Sequence, residues 1–163
     1  GPRVTKPLAP ARILLVDDSR MDVELTLDAF RDGHLKNHID VAMSGQAALD
    51  HLAQQCGVGQ DGQFRPYPDL ILLDLKMPGI DGFEVLRRIK SDPILRRIPV
   101  VVLTSSREEG DRALSYDCGA NSYLVKPVSF EGFLGVVRSI EDYWLSLNVG
   151  APMMSREPST GDR

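Results

Sequence analysis

Apolar and polar positions along this chain fall into blocks. Short apolar runs occupy 12–17 (RILLVD), 39–43 (IDVAM), 69–74 (DLILLD), 99–104 (PVVVLT) and 122–126 (SYLVK), each of strand length. The first, third and fourth are continuously apolar, the pattern of strands covered on both faces of a parallel sheet. Longer amphipathic segments fill the gaps, each preceded by a side chain suited to capping a first turn. Ser19 precedes RMDVELTLDAFRD, Ser44 precedes GQAALDHLAQQ, Asp81 precedes GFEVLRRIK and Ser129 precedes FEGFLGVVRSIEDYWLSL. Phe83, Leu86 and Ile89 recur at helical spacing and predict a core stripe. The segment within 107–118 is the weakest helix, because it contains Gly110 and offers only Ala113, Leu114, Tyr116 and Cys118 as apolar or semi-apolar positions. Five strand–helix units predict an α/β domain with right-handed crossovers and a doubly wound parallel sheet. In such a sheet, chemistry gathers at the strands' carboxyl ends, beside a switch in topology.

The ends read differently. Residues 1–10 (GPRVTKPLAP) hold three prolines, and the leading Gly-Pro reads as a purification-tag scar. Residues 148–163 are rich in small, polar and breaker types. The expected organisation is a flexible segment 1–10, a folded domain 11–147 and a flexible tail 148–163. With 163 residues the chain suits one domain with a single real core.

Composition narrows the functional class. With 42% apolar and 26% charged residues the chain resembles an ordinary soluble domain, and a formal charge of −4 leaves no basic footprint for nucleic acid or an anionic membrane. No apolar run approaches the ~20 residues of a membrane span. There is no signal-peptide pattern, so the expected compartment is the cytoplasm. Cys56 and Cys118 are isolated, lack metal-ligand spacing and read as reduced thiols.

The strand ends carry the chemistry. Asp17 and Asp18 close the first strand, Asp74 the third, Thr104 the fourth and Lys126 the fifth. Each alone has a plain structural explanation as a cap, a turn or a solvated lysine. Together at one edge they form a set that suits phosphoryl transfer onto a carboxylate. Crowded acids repel, and a hard divalent cation such as Mg²⁺ relieves that repulsion through oxygen ligands. One acid remains as nucleophile, a lysine offsets charge on the transferring group, and a hydroxyl donates to one of its oxygens.

LLVDDS, DLILLDLKMPGIDGFEVL, PVVVLTSS and GANSYLVKPVS resemble the receiver domain of two-component response regulators over 12–147. That resemblance implies a (βα)5 flavodoxin-like fold whose five strands, counted along the chain, lie in the order 2-1-3-4-5. It implies Asp74 as phosphoacceptor, with Mg²⁺ bound by Asp17, Asp18, Asp74 and the backbone carbonyl of Lys76. Thr104 and Lys126 would contact the phosphoryl group, and Tyr123 matches the aromatic position that follows Thr104 on activation. The Lys126–Pro127 bond matches a position that is usually cis in the family. The implied partner is a sensor histidine kinase. The implied output is a change in binding face around the helix within 107–118 and the strand at 122–126, without turnover of a separate substrate. The loop at 57–68, ANSYL before the lysine and YW in the last helix resemble more narrowly the single-domain receivers of phytochrome-type kinases. That likeness suggests a bacteriophytochrome as the kinase.

Other features point elsewhere or stay open. GVGQDG (57–62) satisfies a nucleotide-binding glycine pattern but follows a helix and precedes FRPYP, so a surface loop is expected. His34, His38 and His51 read as surface histidines without partners. In the last helix Phe130, Phe133, Val137, Ile140, Trp144 and Leu147 predict one stripe toward the sheet, which leaves Leu134, Val136, Tyr143 and Leu145 over. Those four either widen the buried face or form a homodimer or partner surface together with the neighbouring strand, anchored by Tyr143 and Trp144. The second reading is the expected one. No output domain is expected after the last helix. A phosphorylation-independent binding module would lack part of the acid–lysine set, and an aspartyl-phosphate hydrolase would carry D-x-D and a cap. Whether the domain is an output switch or a phosphate sink in a phosphorelay stays open.

Overall fold

The computed structural model describes residues 9–147, so the expected flexible segments lie outside the described residues apart from Ala9 and Pro10. Five parallel strands form the sheet: β1 (Ala11–Val16), β2 (Asn37–Ala42), β5 (Leu70–Leu73), β6 (Val100–Thr104) and β7 (Ser122–Val125). Their order is β2-β1-β5-β6-β7, which is 2-1-3-4-5 when these five are counted along the chain. The register pairs Val16 with Ala42 and Leu73, Leu73 with Val102, and Thr104 with Val125. The carboxyl ends of the strands therefore form one edge. Every residue of β5 and β6 is buried, which is why these strands lack alternation.

Each side of the sheet carries its own apolar layer. Leu14, Val16, Ile71, Leu73, Val100 and Val102 pack with helices α2 (Gly45–Gln54) and α3 (Gly82–Ser91) through Ala48, Leu52, Val85, Leu86 and Ile89. Ile13, Leu15, Leu70, Leu72 and Val101 pack with α1 (Arg20–Arg31) and α5 (Phe130–Leu145) through Val23, Ala29, Phe30, Phe133, Val137 and Ile140. The anticipated caps form: Ser19, Ser44, Asp81 and Ser129 each accept a backbone N–H at the third helical position. Helix α4 (Glu109–Asp117) starts at Glu108 without a side-chain cap and buries only Ser115.

Several local expectations are corrected. Within the 57–68 segment lies a two-stranded antiparallel hairpin, β3 (Gly57–Val58) with β4 (Phe64–Arg65). It is closed by a Gly59 N–H to Gln63 carbonyl bond and a 2.7 Å Arg65–Asp61 ion pair, with Gly57 and Gly62 at positive φ. Two-residue strands are too short to leave a periodic signal. Leu147 is exposed rather than part of the α5 stripe, and Phe130 and Trp144 are only half-buried. Leu134, Val136 and Tyr143 pack onto the sheet-side apolar layer. His38 and His51 both face a carboxylate, Asp40, at 3.4 and 3.7 Å. No cis peptide bond occurs among the described residues, so Lys126–Pro127 is trans. No described helix is long and apolar enough to cross a membrane.

Candidate functional site

Backbone pairing assembles the site. The Asp17 N–H donates to Ala42 O, that of Asp74 to Val16 O at 2.9 Å, and that of Lys126 to Thr104 O at 2.7 Å. Asp17, Asp74 and Lys126 are thus each the first residue beyond a strand and Thr104 is the last of its own, so the ladder fixes their separations. Just behind Asp74, a β-carbon on Gly82 would lie 2.2 Å from the Asp74 carbonyl oxygen and 2.6 Å from Leu75 Cα. Only glycine lets α3 start so close to the strand end.

Carboxylate oxygens of Asp17, Asp18 and Asp74 lie within 4.8 Å of one another, the first and last buried and Asp18 exposed. The donors are all hard oxygens, so the set suits a hard divalent cation rather than a soft metal. Asp17 Oδ1 accepts the Ser19 N–H at 2.9 Å, and Asp74 Oδ1 accepts the Leu75 N–H at 2.8 Å. The second oxygen of each faces Lys126, whose Nζ lies 2.7 Å from Asp17 Oδ2 and 3.4 Å from Asp74 Oδ2. A further carboxylate, Asp22 Oδ2, lies 2.9 Å from the same nitrogen. Burial pushes the Asp17 carboxyl up, against the opposing pull of its hydrogen bonds to Lys126 and Ser19. Burial also works against the Lys126 charge, but bonding to Asp17 and Asp22 more than offsets it and holds the ammonium above the ordinary lysine range. Lys126 is therefore a permanent cation in a nest of acids.

The other flank is held by polar contacts. Thr104 is fully buried, and its hydroxyl accepts a long 3.4 Å bond from the Ser106 N–H. Tyr123 is buried, and its hydroxyl donates to the Ser106 carbonyl at 2.8 Å. The Arg112 guanidinium lies 5.7 Å from the centres of both the Tyr116 and Tyr123 rings. Lys76 sends its side chain away from the acids to Asp111, 3.1 Å off, while the Ser106 hydroxyl donates to the same carboxylate oxygen at 2.6 Å. That hydroxyl, ahead of the Lys76 ammonium, holds the Asp111 carboxyl below the usual range.

The structure thus gathers Asp17, Asp18, Asp74 and Lys126 into one cluster, and joins Thr104 to Tyr123 through Ser106. It also recruits Asp22, Asp111 and Arg112, which the sequence reading passed over. Asp22 in a first helical turn reads simply as an acid favoured by the helix dipole. Nothing local announces its partner on the last strand's end, 104 residues away.

The model of the response regulator receiver domain family matches residues 13–138. The chain is 42% identical over 139 residues to the regulatory protein FilR2 of Methanothrix harundinacea, covering 85% of this chain and 86% of FilR2. It is 41% identical over 138 residues to the response regulator Rcp1 of Synechocystis sp., covering 83% and 90% of the two chains. The crystal structure of Mn(2+)-bound Rcp1 superimposes with a TM-score of 0.72 at 40% identity over 83% of this chain and 95% of Rcp1. That of the phosphorylated cyanobacterial phytochrome response regulator RcpA gives a TM-score of 0.75 at 39% identity over 86% and 98%.

Proposed function

This chain belongs to the response regulator receiver family, and from that premise we propose that Asp74 is its phosphoacceptor, charged by a partner histidine kinase in a Mg²⁺-dependent reaction. The observation that carries this reading is the convergence of three carboxylates within 4.8 Å around a buried lysine ammonium. Asp17, Asp18, Asp74 and the Lys76 carbonyl would hold the cation, which when bound offsets charge on the transferring phosphoryl oxygens. A carboxylate oxygen of Asp74 attacks phosphorus, the phosphorus–nitrogen bond of a phosphohistidine breaks, and the electron pair leaves with the imidazole. The product is an acyl phosphate on Asp74. Lys126, already 3.4 Å from Asp74 Oδ2, donates to a phosphoryl oxygen, and the Thr104 hydroxyl donates to another. Ser106 bonds Thr104 through its N–H and Tyr123 through its carbonyl. A Thr104 hydroxyl drawn to the phosphoryl group therefore loosens Ser106, the residue whose carbonyl holds Tyr123, and the α4–β7 face shifts toward a second arrangement.

Relatives named as phytochrome response regulators support a phytochrome-type kinase as the partner. The protein acts as a phosphoacceptor in the cytoplasm and turns over no separate substrate. A homodimer along α5 and neighbouring β7 rests on Leu145 and Leu147, exposed at the helix end. Sedimentation that finds only monomer with and without phosphodonor removes that part. The test of the central reading is intact mass after incubation with acetyl phosphate, with and without Mg²⁺, for wild type and Asp74→Asn. One phosphoryl adduct that needs both the cation and Asp74 is expected. No adduct, with phosphate release also absent, would overturn the reading.

A further inference from the structure

We propose that Asp22 is a positioning residue for the proposed phosphoryl-transfer site: it supplies a second seat for the Lys126 ammonium, so that Asp17 can be given up to a divalent cation while Lys126 stays beside Asp74. The inference rests on the reading above. Its starting point is that both Asp17 oxygens are engaged, and because Oδ1 accepts a fixed backbone N–H from Ser19, the movable ammonium on Oδ2 is the partner that an arriving metal would displace. That same oxygen is the nearest partner of Lys126, at 2.7 Å. An arriving cation and the ammonium therefore compete for one atom and repel each other across it. The ammonium has three N–H groups, and a lysine stem swings freely about its terminal bonds. Displaced from Asp17 with no alternative, it would turn to Asp74 alone or leave toward solvent.

Asp22 closes that route. Its carboxylate is 2.9 Å from Nζ yet stands apart from the three acids that converge on a metal position, so a cation there leaves it with Lys126. Asp22 is itself held firmly. Its N–H donates to the Ser19 cap, and its carbonyl accepts from the buried Thr26 hydroxyl at 2.7 Å. The helix behind it is anchored by Val23, Ala29 and Phe30. The ammonium is thus tethered from α1 to the end of β7, at a fixed point next to the acceptor. Removing Asp22 has two effects with the same sign. Lys126 clings harder to Asp17 and Asp74, which weakens cation binding, and it is poorly placed once the cation is bound, which slows transfer.

A double-mutant cycle on the full chain separates this role from the charge of Asp22 acting through space. Mn²⁺ affinity is measured by calorimetry for wild type, Asp22→Ala, Lys126→Met and the double variant, with thermal melts confirming that each is folded. Asp22→Ala should weaken Mn²⁺ binding by roughly 5- to 10-fold, the size of a contact-pair coupling. Lys126→Met should tighten it, and adding Asp22→Ala to Lys126→Met should change it by less than about 2-fold. Asp22→Asn, which keeps an acceptor oxygen without the charge, should fall between wild type and Asp22→Ala both in affinity and in the rate of phosphorylation by acetyl phosphate. An equal loss in both lysine backgrounds, or no loss in either, overturns the positioning role while the wild type still binds Mn²⁺ and labels at Asp74. A wild type that does neither overturns the parent reading as well.

Discussion

Helices α1 and α4 both begin at the active edge of the sheet, yet they are held in opposite ways. α1 has a Ser19 cap and drives Val23, Ala29 and Phe30 into the layer it shares with α5. α4 has no side-chain cap, carries Gly110 in its first turn, and buries only Ser115, whose hydroxyl donates back to the Asp111 carbonyl at 2.7 Å. Polar contacts tie α4 to the rest of the edge: the Lys76–Asp111–Ser106 cluster and the Arg112 guanidinium beside the Tyr123 ring of β7. Apolar burial is worth several kcal/mol per large side chain, whereas partly exposed polar contacts net about 1 kcal/mol or less each. One flank of the site is therefore a fixed frame that presents Asp17, Asp18 and Asp22. The other can change its contacts at small cost, as a switch requires.

The contrast breaks first where burial differs most. Phe30→Ala should cost about 3–5 kcal/mol in denaturant unfolding, while Leu114→Ala on α4 should cost well under about 1 kcal/mol. Comparable losses would show that α4 is packed as firmly as α1. The fixed frame also holds charge at an energetic cost. Burial raises the Asp17 carboxyl, so the folded chain keeps that proton more tightly than the unfolded one. Ionised Asp17 thus destabilises the fold above its native pKa, and the penalty fades as pH falls through that value toward the ordinary 3.8. Asp17→Asn should raise metal-free stability at neutral pH by about 1 kcal/mol, lose most of that advantage in acid, and lose the melting-temperature rise caused by Mg²⁺. A variant that is less stable and still responds to Mg²⁺ would contradict this.

Asp111→Asn sharpens the comparison from the other flank. It should lower global stability by less than about 1 kcal/mol, yet speed amide exchange in α4 several-fold while leaving α1 amides unchanged. Uniform acceleration would mean the cluster supports the whole fold. The smallest effect is expected from Glu108→Ser, which supplies the missing cap. A gain of about 0.5–1 kcal/mol confined to α4 exchange would mark that helix as the under-anchored one.

Much of this molecule can be read from the chain because its signals are local. Continuous apolar runs marked strands β1, β5 and β6, and caps placed the starts of α1, α2, α3 and α5, since backbone N–H groups at a helix start are satisfied within three residues. Residues at strand ends in a parallel sheet share one edge, so the meeting of Asp17, Asp18, Asp74 and Lys126 followed from where their strands stop. Tertiary structure alone decided the rest. The 57–65 hairpin is too short for periodicity, Leu147 fell outside the face its spacing suggested, and Asp40 found one histidine on its own strand and another on α2. The pairing of Asp22 with Lys126 and of Asp111 with Lys76 depends on which helix start lies over which strand end. A sequence pattern reports the faces an element presents, while the partner of a charge is set by the few ångströms that packing leaves between elements far apart in the chain.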